Sequence, residues 1–137
     1  MRERLYLILI LLLSGGMLTY GTQTLSISAD EADIFFSQTN IAHYLALYST
    51  EWFGKSDFTL RLPFILLHLA SMVLLYKIGK MFLKKRFDRI LSIAIYAFLP
   101  GVNSVALLVN NSVVVIFITL LFTYLYLLEY KIASHAV

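Results

Sequence analysis

The sequence has no cysteine, only two prolines and six glycines, and a charged fraction of 14%. Without cysteine there is no disulfide framework, no thiolate metal site and no cysteine nucleophile. Scarce glycine and proline exclude a collagen-like or low-complexity chain. Few charges exclude the self-repelling composition of disordered segments. What fills the chain instead is apolar: 60% of 137 residues, against about 45–50% in an average soluble domain. A soluble globule of this size cannot hide that much apolar surface, so the sequence reads as an all-α integral membrane protein of one domain.

Four apolar stretches set its organisation: residues 5–20, 58–76, 90–109 and 113–130. A crossing helix needs about 20 residues, with a usable range of about 17–25. The last three qualify, and the first is slightly short. Arg2 and Arg4 followed by an apolar run and Ser14-Gly15-Gly16 give the first stretch some signal-peptide character, but apolar residues continue through Met17 and Leu18. A retained signal anchor is the expectation. Pro100-Gly101 predicts a kink or break near the end of the third stretch. Pro63 is expected in the first turn of the second helix, where its missing N–H costs little.

The net charge of +3 is not a nucleic-acid signal, because the charges sort by side. Arg2, Arg4, Lys77, Lys80, Lys84, Lys85, Arg86, Arg89 and Lys131 fall on one side of the four stretches; only Lys55 and Arg61 fall on the other. The positive-inside rule then puts both termini and the basic loop 77–89 in the cytoplasm. Asp30, Glu31, Asp33, Glu51 and Asp57 all lie in the opposite, external segment 21–57. Within it Ile34, Ile41, Leu45, Tyr48 and Trp52 recur at helical spacing, which predicts one helix over 31–53, capped by Ser28 or Asp30, ended by Gly54 and lying in the outer interface or packed on the spans.

The candidate site is built from this segment. Asp30 and Glu31 are adjacent carboxylates at a water–lipid boundary, where one can be desolvated while its neighbour stays wet. That suits deprotonation of a hydroxyl or stabilisation of positive charge on a sugar ring. The plainer reading is two acids favoured by a helix N-terminus, at about 0.3–1 kcal/mol each. Arg61 near the outer mouth of the second span needs a partner: Asp30, Glu31, a substrate phosphate or lipid headgroups. His43 reads as an exposed or acceptor-facing residue, and His68, a polar residue at membrane depth in the second span, as either functional or hydrogen-bonded between helices to a serine such as Ser71 or Ser92. His43, His68 and His135 are too far apart for a metal site, and none is expected. Asp30-Glu31-Ala32-Asp33 spells a helicase motif without the phosphate loop that would give it meaning.

Asp30-Glu31 after the first span, Trp52-Phe53-Gly54, Leu60-Arg61-Leu62-Pro63 opening the second span, the Leu75–Lys80 run before a basic loop, and Leu99-Pro100 together resemble the N-terminal part of GT-C membrane glycosyltransferases, in the protein mannosyltransferase and aminoarabinose transferase group. The resemblance implies transfer of a sugar, with inversion, from a polyprenyl-phosphate carrier to a glycan, lipid or protein acceptor on the outer face of a bacterial inner membrane. It implies that Asp30 or Glu31 acts as base or orients the acceptor, and that Arg61 holds the acidic loop or the donor phosphate. It implies no cofactor beyond that donor. Where such enzymes often carry an acid at the start of the fourth span, this sequence has Asn110-Asn111-Ser112. Asn111 is therefore expected to hydrogen-bond substrate, together with His43, and not to act as a base. Such enzymes also have more spans, so the four here are not expected to be active alone. The alternative is a small non-catalytic four-span scaffold or accessory subunit; a transporter subunit has little to support it.

Overall fold

A computed structural model of the chain describes residues 2–36 and 40–135. They form the helices α1 (Arg2–Thr24), α2 (Ala29–Phe36), α3 (Ile41–Phe53), α4 (Asp57–Phe82), α5 (Arg86–Phe98), α6 (Pro100–Leu107) and α7 (Asn111–His135). The helices α1, α4 and α7 are each long and apolar enough to cross a membrane, and α5 with α6 makes a fourth crossing if the bent pair is one span. At 1.5 Å per residue the three long helices measure roughly 34–39 Å, more than the hydrocarbon core of about 30 Å. This is an integral membrane protein.

The first span is longer than its apolar run suggests. Thr19, Thr22 and Thr24 are helical too, and each hydroxyl is satisfied by donating to the carbonyl three residues earlier, at 2.9, 2.7 and 3.0 Å. Ser14 and Gly15 face α4, and a Cβ on Gly15 would stand 3.5 Å from Leu69; nothing lies that close to Gly16. The break in the third span falls where Pro100 predicts it. Proline has no N–H for the Tyr96 carbonyl, Leu99 turns extended (φ −68°, ψ 117°), and α6 leaves at 55° to α5.

Two expectations about where helices begin and end need correction. The segment 31–53 is not one helix: α2 ends at Phe36 and α3 starts at Ile41, while residues 37–39 lie outside the described residues. Pro63 is not in the first turn, because Ser56 caps α4 with Thr59 in a reciprocal capping box and Pro63 becomes its seventh residue. There it deprives the Thr59 carbonyl of its helical donor. Ser49 of α3 supplies one, its hydroxyl donating to that carbonyl at 2.6 Å.

The helix α4 is the hub, packed against α1, α3, α5, α6 and α7. One apolar cluster, around Leu18, Ala46, Phe64 and Val113, sits toward the end that carries Glu31; another, around Met72, Tyr76, Ile93 and Ala97, sits toward the end that carries the basic residues. Small residues let α3 lie close on its neighbours: Ala42 and Ala46 are wholly buried, whereas Ile41, Tyr44, Tyr48 and Trp52 form an exposed stripe. His68 does not bond Ser71 or Ser92 as expected. Its Nε2 meets the Ser14 hydroxyl at 3.5 Å and its ring stacks on Tyr96, while Ser71 and Ser92 each donate to a carbonyl of their own helix.

Candidate functional site

The site begins with the turn between α1 and α2. Ser28 caps α2: its hydroxyl accepts from the Glu31 N–H at 3.2 Å, and the Glu31 carboxylate accepts from the Ser28 N–H at 3.0 Å. This reciprocal pair places Glu31 in the first turn of α2 and facing α4. Arg61 approaches from α4, its Nε donating to Oε1 at 2.9 Å and its Nη2 to Oε2 at 2.8 Å. Arg61 is 0% exposed and Glu31 is 1% exposed.

Every hydrogen-bonding position of the pair is filled. The remaining Arg61 donors reach backbone carbonyls at and just past the C-terminal end of α1: Nη1 to Thr22 at 3.3 Å and Leu25 at 2.8 Å, Nη2 to Ser26 at 3.0 Å. Those carbonyls have lost their helical partners, and a cation is favoured at a helix C-terminus. The last position on Glu31 Oε1 accepts from the Val109 N–H at 3.0 Å, in the link between α6 and α7. Arginine has five N–H donors and a carboxylate about four acceptor positions, so neither group retains capacity for a substrate in this arrangement. Burial acts to raise the Glu31 carboxyl pKa, but the hydrogen bonds from Arg61, Ser28 and Val109, with the Arg61 charge, outweigh it and hold the group below its ordinary value.

Asp30 is placed differently. It lies in the first turn of α2, next to Glu31, and is exposed. The two acids of the pair are thus separated into one locked carboxylate and one that meets water.

Against the Glu31 side of this turn lies a cleft of about 650 Å³ between α2, α3 and the start of α4. Ile27, Phe35, Phe36, Leu47 and Leu60 give it apolar walls, and Glu51, Lys55 and Asp57 give it charged ones. Lys55 is exposed and enters no salt bridge among the described residues.

His43 and Asn111 lie on the same end of the bundle but are engaged by the backbone. His43 is buried, against the expectation of an exposed residue, and its Nδ1 bonds the Phe35 carbonyl, fixing the end of α2 to the start of α3. Asn111 is half-buried; its Oδ1 accepts from the Ala42 N–H at 3.2 Å and so caps α3, whose own Asn40 makes no side-chain cap. Asn111 also borders a smaller cleft of about 320 Å³ with Asn40 and Val114. No group of metal-binding side chains occurs among the described residues, and the His135 side chain lies outside them.

The Ser28–Glu31 spacing is a capping-box signal that could have singled out Glu31 as the inward acid. The Val109 N–H and the α1 carbonyls carry no such signal, since any residue supplies them.

Residues 37–134 match the family described as dolichyl-phosphate-mannose-protein mannosyltransferase. The chain belongs to that family. It is therefore a glycosyltransferase-related membrane protein. His43, Arg61 and Asn111 fall inside the matched stretch, and Asp30 and Glu31 precede it. No curated protein and no solved structure matches the chain.

Proposed function

We propose that this protein takes part in moving a sugar from a polyprenyl-phosphate carrier to an acceptor hydroxyl on the extracytoplasmic face, with both termini in the cytoplasm and the membrane being a bacterial inner membrane. The observation that carries the reading is the division of labour at the α1–α2 turn. Arg61 and Glu31 are consumed in fixing the turn, and that fixing leaves Asp30 exposed to water, one residue before the Glu31 that lines a largely apolar cleft.

Asp30 is then the group that takes the acceptor proton. As that O–H bond breaks, the acceptor oxygen bonds the anomeric carbon of the sugar, and the bond from that carbon to the phosphate oxygen breaks with its electron pair leaving on the phosphate. Positive charge near the leaving phosphate lowers the barrier. With Arg61 saturated, Lys55 is the cation that meets it, and Ile27, Phe35, Phe36 and Leu47 receive the first isoprene units. His43 and Asn111 act as positioning residues, holding α2 and α3 around the cleft. The aromatic stripe Tyr44, Tyr48 and Trp52 lies in the membrane interface.

A photoreactive polyprenyl phosphate added to source membranes tests this placement. Labelling is expected at Phe36, Leu47 or Leu60, weakened by Lys55→Ala and restored by Lys55→Arg. Labelling confined to other helices contradicts it.

Two observations favour a second reading, a non-catalytic scaffold: the family match starts after the acid pair, and Glu31 is fully engaged in holding the fold. Under that reading the lipid label does not enter the cleft.

A further inference from the structure

A second cleft, of about 470 Å³, opens at the opposite end of the bundle between the first turns of α1 and α5. We propose that it binds one anionic glycerophospholipid, with the headgroup phosphate on Arg86 and an acyl chain along Tyr6, Phe87 and Ile90.

The charges of the cleft are already sorted for this ligand. Glu3, the acid in its wall, is neutralised by Arg89 at 3.3 Å, and both side chains are largely covered. Arg86 is exposed at the same cleft and enters no salt bridge among the described residues. Lys84 and Lys85 immediately before it are also exposed. The local field is therefore positive, and the cation that faces the cleft retains its donors. A guanidinium matches two phosphate oxygens at once.

The apolar part is equally specific. Phe87 is 73% exposed and Tyr6 is 53% exposed, both bordering the cleft. Aromatic side chains at the level where a helix leaves the hydrocarbon are at home among headgroups and upper acyl carbons. Orientation by positive charge needs only a count of lysines and arginines; it needs no apolar cleft with a single cation at its edge. Basic pockets between helix ends are the sites at which anionic headgroups are held.

The full-length chain in detergent, supplied with dioleoylphosphatidylglycerol or dioleoylphosphatidylcholine and read by native mass spectrometry, decides the matter. One phosphatidylglycerol is expected to stay bound, phosphatidylcholine is not, and excess inorganic phosphate does not displace the lipid. Arg86→Ala should weaken retention by about fivefold, the effect of one basic residue close to an anionic headgroup. Lys77→Ala removes the same charge, but the Lys77 ammonium lies over the Tyr124 ring of α7, a helix that does not touch α1 or α5. It should leave retention unchanged. Ile90→Trp fills the cleft and should abolish retention while circular dichroism shows the helices intact. Equal retention of phosphatidylcholine, equal losses in Arg86→Ala and Lys77→Ala, or displacement by inorganic phosphate overturns the proposal. Because Arg86 is exposed, its variant carries the test without disturbing packing.

Discussion

Arg61 clamps both carboxylate oxygens of Glu31 from a side chain with no solvent exposure, thirty residues further along the chain. The same guanidinium ties down the Leu25 and Ser26 carbonyls just past the end of α1, and the same carboxylate ties down the link before α7. Four separate parts of the chain are thereby joined at one ion pair.

Removing one partner leaves the other charged and buried. Arg61→Ala or Glu31→Ala is expected to cost about 3–5 kcal/mol, seen as a lowered unfolding temperature in detergent micelles. Replacing both by apolar residues of similar volume, Arg61→Met with Glu31→Leu, should recover much of that loss. Arg61→Lys should not, since three donors on a point charge cannot serve the positions that five fill.

Glu31 also sets an acid limit. Its folded pKa lies below the ordinary 4.5, so its contribution to stability is complete above that value and is lost as pH falls through the lower folded value. Unfolding temperature should not vary with pH through this group between pH 6 and pH 8, where its contribution is complete, and should fall on the acid side of 4.5. In Glu31→Gln that acid-side fall should be shallower. An equally steep fall in the variant would assign it to other carboxylates.

Ser49 and Pro63 should behave as a coupled pair. The Ser49 hydroxyl supplies the donor that Pro63 withholds from the Thr59 carbonyl. Ser49→Ala is expected to cost about 1–3 kcal/mol by leaving that buried acceptor unmet. With Pro63→Ala an N–H returns to the helix, and Ser49→Ala should then cost less. A double-mutant cycle in unfolding free energy reads the difference.

Asn111 is a cap supplied from another helix. Asn111→Ala should destabilise by about 1 kcal/mol, while Asn111→Asp keeps an acceptor for the Ala42 N–H and adds charge favoured at a helix N-terminus. Hydrogen exchange in the first turn of α3 should quicken in the first variant and not in the second.

The sequence carried the long-range plan of this molecule more legibly than its local joints. Apolar runs of sufficient length declare the spans, and Pro100 declares the bend because it removes a specific N–H. The need of a membrane-edge arginine for an anion pointed from Arg61 to the acidic pair. Which acid turned inward depended on the Ser28 cap and on the backbone of residue 109, neither of which leaves a mark in hydropathy. Pro63 moved from first turn to seventh residue because the Ser56–Thr59 capping box starts α4 at Asp57. Of the two readings of His43, exposed or acceptor-facing, the first fails: an imidazole on an aromatic-rich helix looks the same facing water or facing the Phe35 carbonyl. Ser14, rather than a neighbour in sequence, meets His68 because the contact belongs to the packing of α1 on α4.

The most direct test of the proposed chemistry is the rate of sugar transfer from a labelled polyprenyl-phosphate donor in source membranes carrying Asp30→Asn in place of the native chain. Asparagine keeps the shape of the side chain and cannot accept the acceptor proton. A fall in kcat of about 10²–10⁴, with little change in KM for the donor and an unfolding temperature like that of the native chain, is the predicted result. An unchanged rate would contradict the account and leave the Glu31–Arg61 pair as a fastening of the fold alone.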